Sequence, residues 1–141
     1  NKKKHKMEGR SLVDPVVASN YPLLWLAWAF HSRAHGAVLA ASAVASVLYH
    51  RSGERRFLAL DRALAALAFV SSLRLMLQSS PRVLCLLAVD IALAFATLRL
   101  SNRDRGKKPS LRSDAYGRWH SAWHLLIVLG QVVILQTLRD R

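Results

Sequence analysis

Five polar residues in or beside apolar stretches have types and spacing that could form one chemical site. Ser46 and His50 are one helical turn apart, and so are His120 and His124. Asp61 stands near the start of the apolar stretch that follows His50. Because residues one turn apart share a face of an α-helix, each pair presents two polar side chains from one face.

Imidazole nitrogens are preferred ligands of zinc, which in catalytic sites leaves its fourth position to water. Zinc lowers the pKa of that water toward neutrality and makes it a nucleophile. His50, His120 and His124 are therefore interpreted as ligands of Zn²⁺. Asp61 is interpreted as the catalytic base, and Ser46 as the hydroxyl that hydrogen-bonds to the water or to a developing oxyanion.

Two other uses of these histidines stay open at the level of sequence. A histidine in a membrane helix often packs through a hydrogen bond to a neighbouring helix. A haem held by two histidines from two helices is the other alternative. The haem would use only two of the three imidazoles and would leave Asp61 without a role.

The composition indicates the kind of protein in which these residues lie. Hydrophobic residues make up 52% of the 141 residues, yet Lys and Arg number 21 against 8 Asp and Glu. The charges occur in blocks between long apolar stretches, as a bilayer requires, because about 20 apolar residues cross its hydrocarbon core. We therefore predict an all-α integral membrane protein, a bundle of about five transmembrane helices.

The predicted organisation is a basic tail over residues 1–12 and a transmembrane domain over residues 13–141. Asp14 and Pro15 suit the start of the first span, which Pro22 is expected to kink or to start later. Gly36 and Ala40 are small residues one turn apart, which favours close approach of a neighbouring helix. The five spans cover about residues 13–30, 34–50, 57–78, 83–100 and 116–138.

Basic residues are concentrated in the N-terminal tail and in the loops after the second and fourth spans. Five alternating spans place these three segments on one side, which the positive-inside rule identifies as the cytoplasmic side or its organellar equivalent. Because His50 ends the second span there, and the third and fifth spans start there, all five site residues share one depth. His31 and His35 belong to the opposite interface, about 22 Å away along the helix.

Arg74 and Asp90 are charged residues inside predicted spans, where burying a charge is expensive, so they are expected to face the bundle, where they could pair with each other. Nucleic acid is not an expected partner, because the aromatic residues lie inside apolar stretches rather than among the basic ones. The expected partners are membrane lipids and, in one reading, other membrane subunits.

The site residues resemble a known superfamily. It joins the alkaline ceramidases, the progestin and adipoQ receptors, and membrane proteins that remodel GPI-anchor lipids. The resemblance lies in Ser-Val-Leu-Tyr-His at residues 46–50, Leu-Asp-Arg at 60–62 and His-Ser-Ala-Trp-His-Leu at 120–125. In this superfamily, Ser-x-x-x-His ends the second span, an Asp begins the third, and His-x-x-x-His lies in the last.

The resemblance implies that His50, His120 and His124 hold zinc, with Asp61 and Ser46 completing the site. It also implies an intramembrane hydrolase of a lipid amide or ester bond. The superfamily has seven spans, however, and two are missing here between the third and the last. The basic tail lacks the acidic calcium-binding stretch of alkaline ceramidases. A reduced relative that serves as a structural subunit of a larger membrane complex is the alternative expectation.

Overall fold

The computed structural model describes residues 11–30, 33–105 and 114–140, and all of the regular structure there is α-helical. The basic tail up to residue 10, His31 and the middle of the last loop lie outside the described residues. The six helices are α1 Pro15–Ala18, α2 Tyr21–Ala29, α3 Ala34–Ser52, α4 Arg55–Met76, α5 Pro81–Arg105 and α6 Asp114–Arg139.

The last four helices coincide with the four predicted spans that follow the first, to within a few residues at each end. The first predicted span, over residues 13–30, is not one helix but two, α1 and α2, which are separated at Ser19 and Asn20. A continuous helix would bring the ring of Pro22 against the carbonyl one turn earlier. The chain instead starts a new helix in which Pro22 occupies the first turn, where no N–H is needed.

The helix ends follow from local sequence. The carboxylate of Asp14 accepts a hydrogen bond from the backbone N–H of Val16, which caps α1 directly before Pro15. Gly53 ends α3 in the left-handed conformation, with φ of 68°, and its N–H donates to the carbonyl of Tyr49. The turn that follows reverses the chain, so α4 packs back along α3.

The helices pack mainly as pairs of neighbours in sequence. The most extensive contacts join α5 to α6, α3 to α4 and α2 to α3, and α6 also contacts α1, α2 and α4. Contacts between α4 and α5 are sparse. As expected from its size, Gly36 allows a close approach: a Cβ there would lie 2.5 Å from the carbonyl oxygen of Phe30.

Two helices in the described part of the chain are long and apolar enough to cross a membrane. They are the stretch Pro81–Arg103, with mean hydropathy 2.2, and Tyr116–Arg139, with mean hydropathy 1.6. Only 11% of the apolar window in the first and 22% of that in the second are buried, whereas the core helix of a soluble protein is mostly buried. These exposed apolar helices indicate membrane association.

We expect Gly36→Ala to destabilise the packing of α2 on α3. The new methyl group would also lie 2.7 Å from the carbonyl oxygen of Ala27, and neither backbone carbonyl can move without shifting α2. Overpacking of this kind costs about 1–3 kcal/mol. Thermal unfolding in detergent should show a lower midpoint, whereas Ala37→Ser, at an exposed neighbouring position, should leave it unchanged. An unchanged midpoint for Gly36→Ala would contradict the close approach.

Candidate metal centre

Three buried histidines converge between α3 and α6. The ring centroids of His50 and His120 are 4.7 Å apart, and the ring of His124 lies 5.8 Å from that of His50. One nitrogen from each ring can be chosen so that all three lie within 4.8 Å of one another. The side chains are 2–9% exposed. The structure thus brings together the three histidines that the sequence interpretation grouped.

The helices position these rings as the spacing requires. His120 and His124 project from one face of α6, one turn apart, and His50 lies in the last turn of α3. The Nε2 atoms of His50 and His120 are 2.9 Å apart. Two imidazole lone pairs directed at each other repel unless a proton or a cation lies between them, so this pair requires one or the other.

His124 is oriented by a residue that the sequence analysis did not identify. The hydroxyl of Ser19 donates to the carbonyl of Val16 at 3.0 Å, so its oxygen is left to accept from Nδ1–H of His124 at 2.8 Å. This hydrogen bond places the proton of the imidazole on Nδ1 and leaves the lone pair on Nε2. An outer hydrogen bond of this kind is how metal-binding histidines are usually held.

His120 has a comparable partner. Its Nδ1 lies 3.3 Å from the hydroxyl oxygen of Ser101, a fully buried residue near the end of α5. The ring of Tyr116 stacks on the imidazole at a centroid distance of 5.0 Å. With Nδ1 directed at Ser101, the Nε2 atom of His120 faces His50.

The donor set fits a zinc ion. Zinc–nitrogen bonds of about 2.0–2.1 Å in tetrahedral geometry separate ligand nitrogens by about 3.3 Å. The distances among the three imidazole nitrogens run from 2.9 Å for one pair to no more than 4.8 Å, which brackets that value. The cluster could therefore hold a metal ion after small side-chain rotations, and the nitrogen-only donor set suits zinc better than magnesium or calcium.

Ser46 and Asp61 lie beside this cluster. Both line the same cavity as His124, and Ser46 is 5% exposed. The Ser46 hydroxyl is a neighbour of the Asp61 carboxylate but makes no hydrogen bond of good geometry, so its buried oxygen has no partner among the described residues. A buried hydroxyl without a partner calls for an explanation, and a missing ligand or water is one.

An apolar cavity of about 90 Å³ extends from the cluster into the bundle. Along α6 its wall runs from His124 to Ile134, which is about 15 Å at the rise of an α-helix. Most of the lining is apolar and comes from α3, α4, α5 and α6. Examples are Leu39, Ala65, Ala68, Phe69, Leu87, Ile91 and Ile127. The polar groups near His124 thus open onto a mostly apolar space, which is smaller than the roughly 300–1,000 Å³ of a typical ligand pocket.

His35 lies in the first turn of α3, at the opposite end of that helix from His50 as the sequence predicted, and its side chain is buried in the bundle. It is 4% exposed, and the side chain of Gln131 accepts from its Nε2–H at 2.8 Å while Ser71 donates to its Nδ1 at 2.7 Å. Gln131 in turn donates to the hydroxyl of Ser72, at 2.7 Å. Both ring nitrogens are used in this network, so His35 is a structural link between α3, α4 and α6.

The expected pairing of Arg74 with Asp90 does not occur, because Arg74 is exposed and no ion pair joins the two residues. Asp90 faces the cavity beside Gly130, where a Cβ would lie 2.6 Å from its Oδ2 atom. Only a glycine at position 130 leaves room for the carboxylate in this conformation. The Oδ1 atom of Asp90 is buried without a hydrogen-bond partner among the described residues.

Sequence reasoning missed Ser19, Asn20 and Ser101. Ser19 and Asn20 form a polar pair directly before Tyr21 and Pro22, inside a stretch that was interpreted as one span. That pair is the signal that could have indicated a helix break. Ser101 carries no such signal, since a serine in a polar loop region is unremarkable in sequence.

Comparison with known proteins adds no assignment: no family model, curated protein or solved structure matches this chain. The interpretation of the site therefore depends on its own geometry.

We expect the purified protein to hold about one zinc ion per chain and His120→Ala to lose it, because two imidazoles cannot replace three. Ser19→Ala should keep zinc but bind it about 10–100-fold more weakly, since it removes the hydrogen bond that orients His124. Metal analysis by mass spectrometry, together with competition against a chelator, measures both effects.

His35→Gln is the matched control, because it removes a buried histidine outside the cluster and should leave the zinc content unchanged. A full complement of zinc in folded His120→Ala would contradict the assignment. A haem absorption band in the purified protein would show that the histidines bind haem instead of zinc.

Proposed function

We propose that this protein is a zinc-dependent intramembrane hydrolase that cleaves an amide or ester bond of a lipid. The observation that carries the proposal is the position of the histidine cluster at one end of an apolar cavity, with Ser46 and Asp61 beside it. The resemblance of these residues to the ceramidase and adipoQ-receptor superfamily supports the same reaction class.

In this proposal His50, His120 and His124 hold the zinc ion. When bound, zinc supplies Lewis acidity, which makes water nucleophilic near neutral pH. Asp61 accepts a proton from the attacking water and passes it to the leaving nitrogen or oxygen. The oxygen of water bonds to the carbonyl carbon of the lipid, and the bond from that carbon to the leaving nitrogen or oxygen breaks. The products are a carboxylic acid and an amine or alcohol, so no redox partner is needed.

Ser46 is proposed to donate its hydroxyl hydrogen to the oxygen that becomes negatively charged in the transition state. Its buried oxygen has no partner among the described residues, so the hydroxyl is available for this contact. Because the surroundings are apolar, a hydrogen bond to developing charge contributes more there than in water.

The substrate class follows from the cavity. An acyl chain could lie along the apolar wall that runs for about 15 Å along α6, and because the cavity has a volume of only about 90 Å³ the lining side chains would move apart to admit it. Contacts between α4 and α5 are sparse, so the side of the bundle between them offers a path from the lipid phase. A substrate dissolved in the bilayer would reach the site without crossing water.

We further propose that the chain crosses the membrane five times, with α1 and α2 together making the first crossing. Helices α3 and α4 have 19 and 22 residues, or about 28 and 33 Å, which matches the hydrocarbon thickness. The outer faces of α3 and α4 carry many apolar side chains, as those of α5 and α6 do, although Arg62 and Arg74 of α4 are exposed as well. The exposed side chains include Val44, Leu48, Leu67, Val70, Leu73, Leu86, Val89, Leu93, Leu125 and Leu129.

In this arrangement the basic turn between α3 and α4 lies on the cytoplasmic side or its organellar equivalent, as the positive-inside rule requires. Arg51, Arg55 and Arg56 are exposed there, close to the metal end of the bundle. The zinc site would therefore lie just beneath the cytoplasmic face.

The second candidate is a structural subunit of a larger membrane complex that keeps the fold and the metal. The sparse contacts between α4 and α5 favour it, because a partner helix could complete the bundle there. A tightly bound stoichiometric partner together with no hydrolytic turnover would decide for this candidate.

An odd number of crossings should place the two termini on opposite sides of the membrane. With epitope tags at the N- and C-termini, protease added to sealed vesicles should remove only one tag. If α5 and α6 alone crossed, both tags would be on the same side and would be cleaved, or protected, together. Detergent-permeabilised vesicles, in which both tags are cleaved, are the control.

We expect Asp61→Asn to lower turnover of a fluorogenic dodecanoyl amide or ester by about 10²–10⁴-fold, because the base is lost, while zinc content stays at the wild-type level. Asp90→Asn is the matched control, since it changes a carboxylate in the same cavity away from the zinc ligands. Equal losses in the two variants, or full activity in Asp61→Asn, would contradict the role of Asp61.

A further inference from the structure

Asn20, at the break between α1 and α2, has a side chain held in one orientation. Its amide nitrogen donates to the backbone carbonyls of Val16 and Val17, at 3.0 and 3.5 Å. Because both amide hydrogens are directed at these carbonyls, the Oδ1 atom has to point away from them. The residue is 1% exposed, so this orientation is set inside the bundle.

The Oδ1 atom of Asn20 is a buried hydrogen-bond acceptor with no partner among the described residues. A buried acceptor without a donor destabilises the fold, so such groups are rare without a ligand or water. Asn20 lines the cavity together with His124, Ser46 and Asp61. This acceptor therefore belongs to a residue that lines the space in which the proposed reaction would take place.

The neighbouring groups limit what could supply the missing donor. In the proposed reaction the Ser46 hydroxyl donates to the carbonyl oxygen, and Asp61 serves the attacking water. Neither of these two groups donates a hydrogen bond to the Oδ1 atom of Asn20 in the proposed reaction. A secondary amide carries an N–H that can donate to this acceptor, whereas an ester has an oxygen at the same position and no hydrogen.

We propose that Asn20 Oδ1 accepts a hydrogen bond from the N–H of a lipid amide and thereby makes the site prefer amides to esters. This inference rests on the proposed function and names its substrate class. Asn20 acts as a specificity-determining residue that contacts the substrate. The leaving nitrogen gains hydrogens as the bond breaks, so the contact persists to the product amine.

The test compares binding of two probes that differ only in this group, N-phenyl dodecanamide and phenyl dodecanoate. The full chain with zinc and the Asp61→Asn change, which is designed to stop turnover, is titrated with each probe in detergent by calorimetry. We expect the amide to bind about tenfold more tightly than the ester. In the double variant that carries both Asp61→Asn and Asn20→Leu, the amide should bind only as tightly as the ester.

Two results would overturn the inference: an unchanged preference for the amide in the Asn20→Leu protein, or an equal weakening of both probes. Zinc content and the thermal midpoint establish that the double variant is folded. If it is not, N-methyl-N-phenyl dodecanamide tests the same contact on the protein that retains Asn20. This probe lacks the N–H and should lose the advantage of the amide.

Hydrolysis is measured separately with the same amide and ester and the wild-type protein. An amide preference in binding without any turnover would leave the contact of Asn20 intact and contradict the hydrolase. Turnover of both probes without a preference that depends on Asn20 would support the hydrolase and contradict the contact of Asn20. The failure of the inference and the failure of the proposed function are therefore distinguishable.

Discussion

The structure depends on three imidazoles that meet inside an apolar helical bundle. Nitrogen lone pairs brought together away from water are stable only when a proton or a cation lies between them and the remaining ring nitrogens have partners. The Nε2 atoms of His50 on α3 and His120 on α6 face each other. Ser101 is the outer partner of His120, and Ser19 is the outer partner of His124. The cluster therefore links α3 and α6 directly, α5 through Ser101, and the break between α1 and α2 through Ser19.

A second polar layer lies deeper in the bundle and differs in kind. His35, Gln131 and Ser72 form a continuous hydrogen-bond chain that ends on a backbone carbonyl, so this layer needs no ligand. Near the metal centre, by contrast, the oxygens of Ser46 and Asn20 are buried without partners among the described residues. The network of His35, Gln131 and Ser72 is therefore closed, although Asp90 Oδ1, beside Gly130, is also buried without a partner among the described residues.

The apolar cavity connects these two layers, and its lining explains why the surroundings of the site matter. Helices α2 to α6 all contribute apolar side chains to it, together with several polar ones that include the carboxylates of Asp61 and Asp90. The apolar part of this lining excludes water, which strengthens electrostatic contacts among the polar groups that face it. Two of the helices that line this cavity, α5 and α6, are also long and apolar enough to cross a membrane.

Much of this arrangement could be predicted from the sequence. The lengths of the apolar stretches and their flanking charges predicted four of the helices, and the spacing of His120 and His124 predicted a shared face. Pro22 was expected to kink the first span or to start it later, and a new helix does start at Tyr21, but the short helix α1 before it was not predicted. The end of α3 at which His35 lies was predicted, but its hydrogen-bond partners were not, because helix length indicates depth and not which neighbours a side chain meets.

The sequence by itself determined the helical class, the residues able to bind a metal and the end of the bundle at which they lie. Helix periodicity and chain length are local properties, and they suffice for these conclusions. Only the tertiary structure decided which ring nitrogens face one another, that Ser19 and Ser101 support them, and that Asn20 and Ser46 remain without partners. Those outcomes depend on how the helices rotate and approach one another, which is set by packing between residues far apart in the chain.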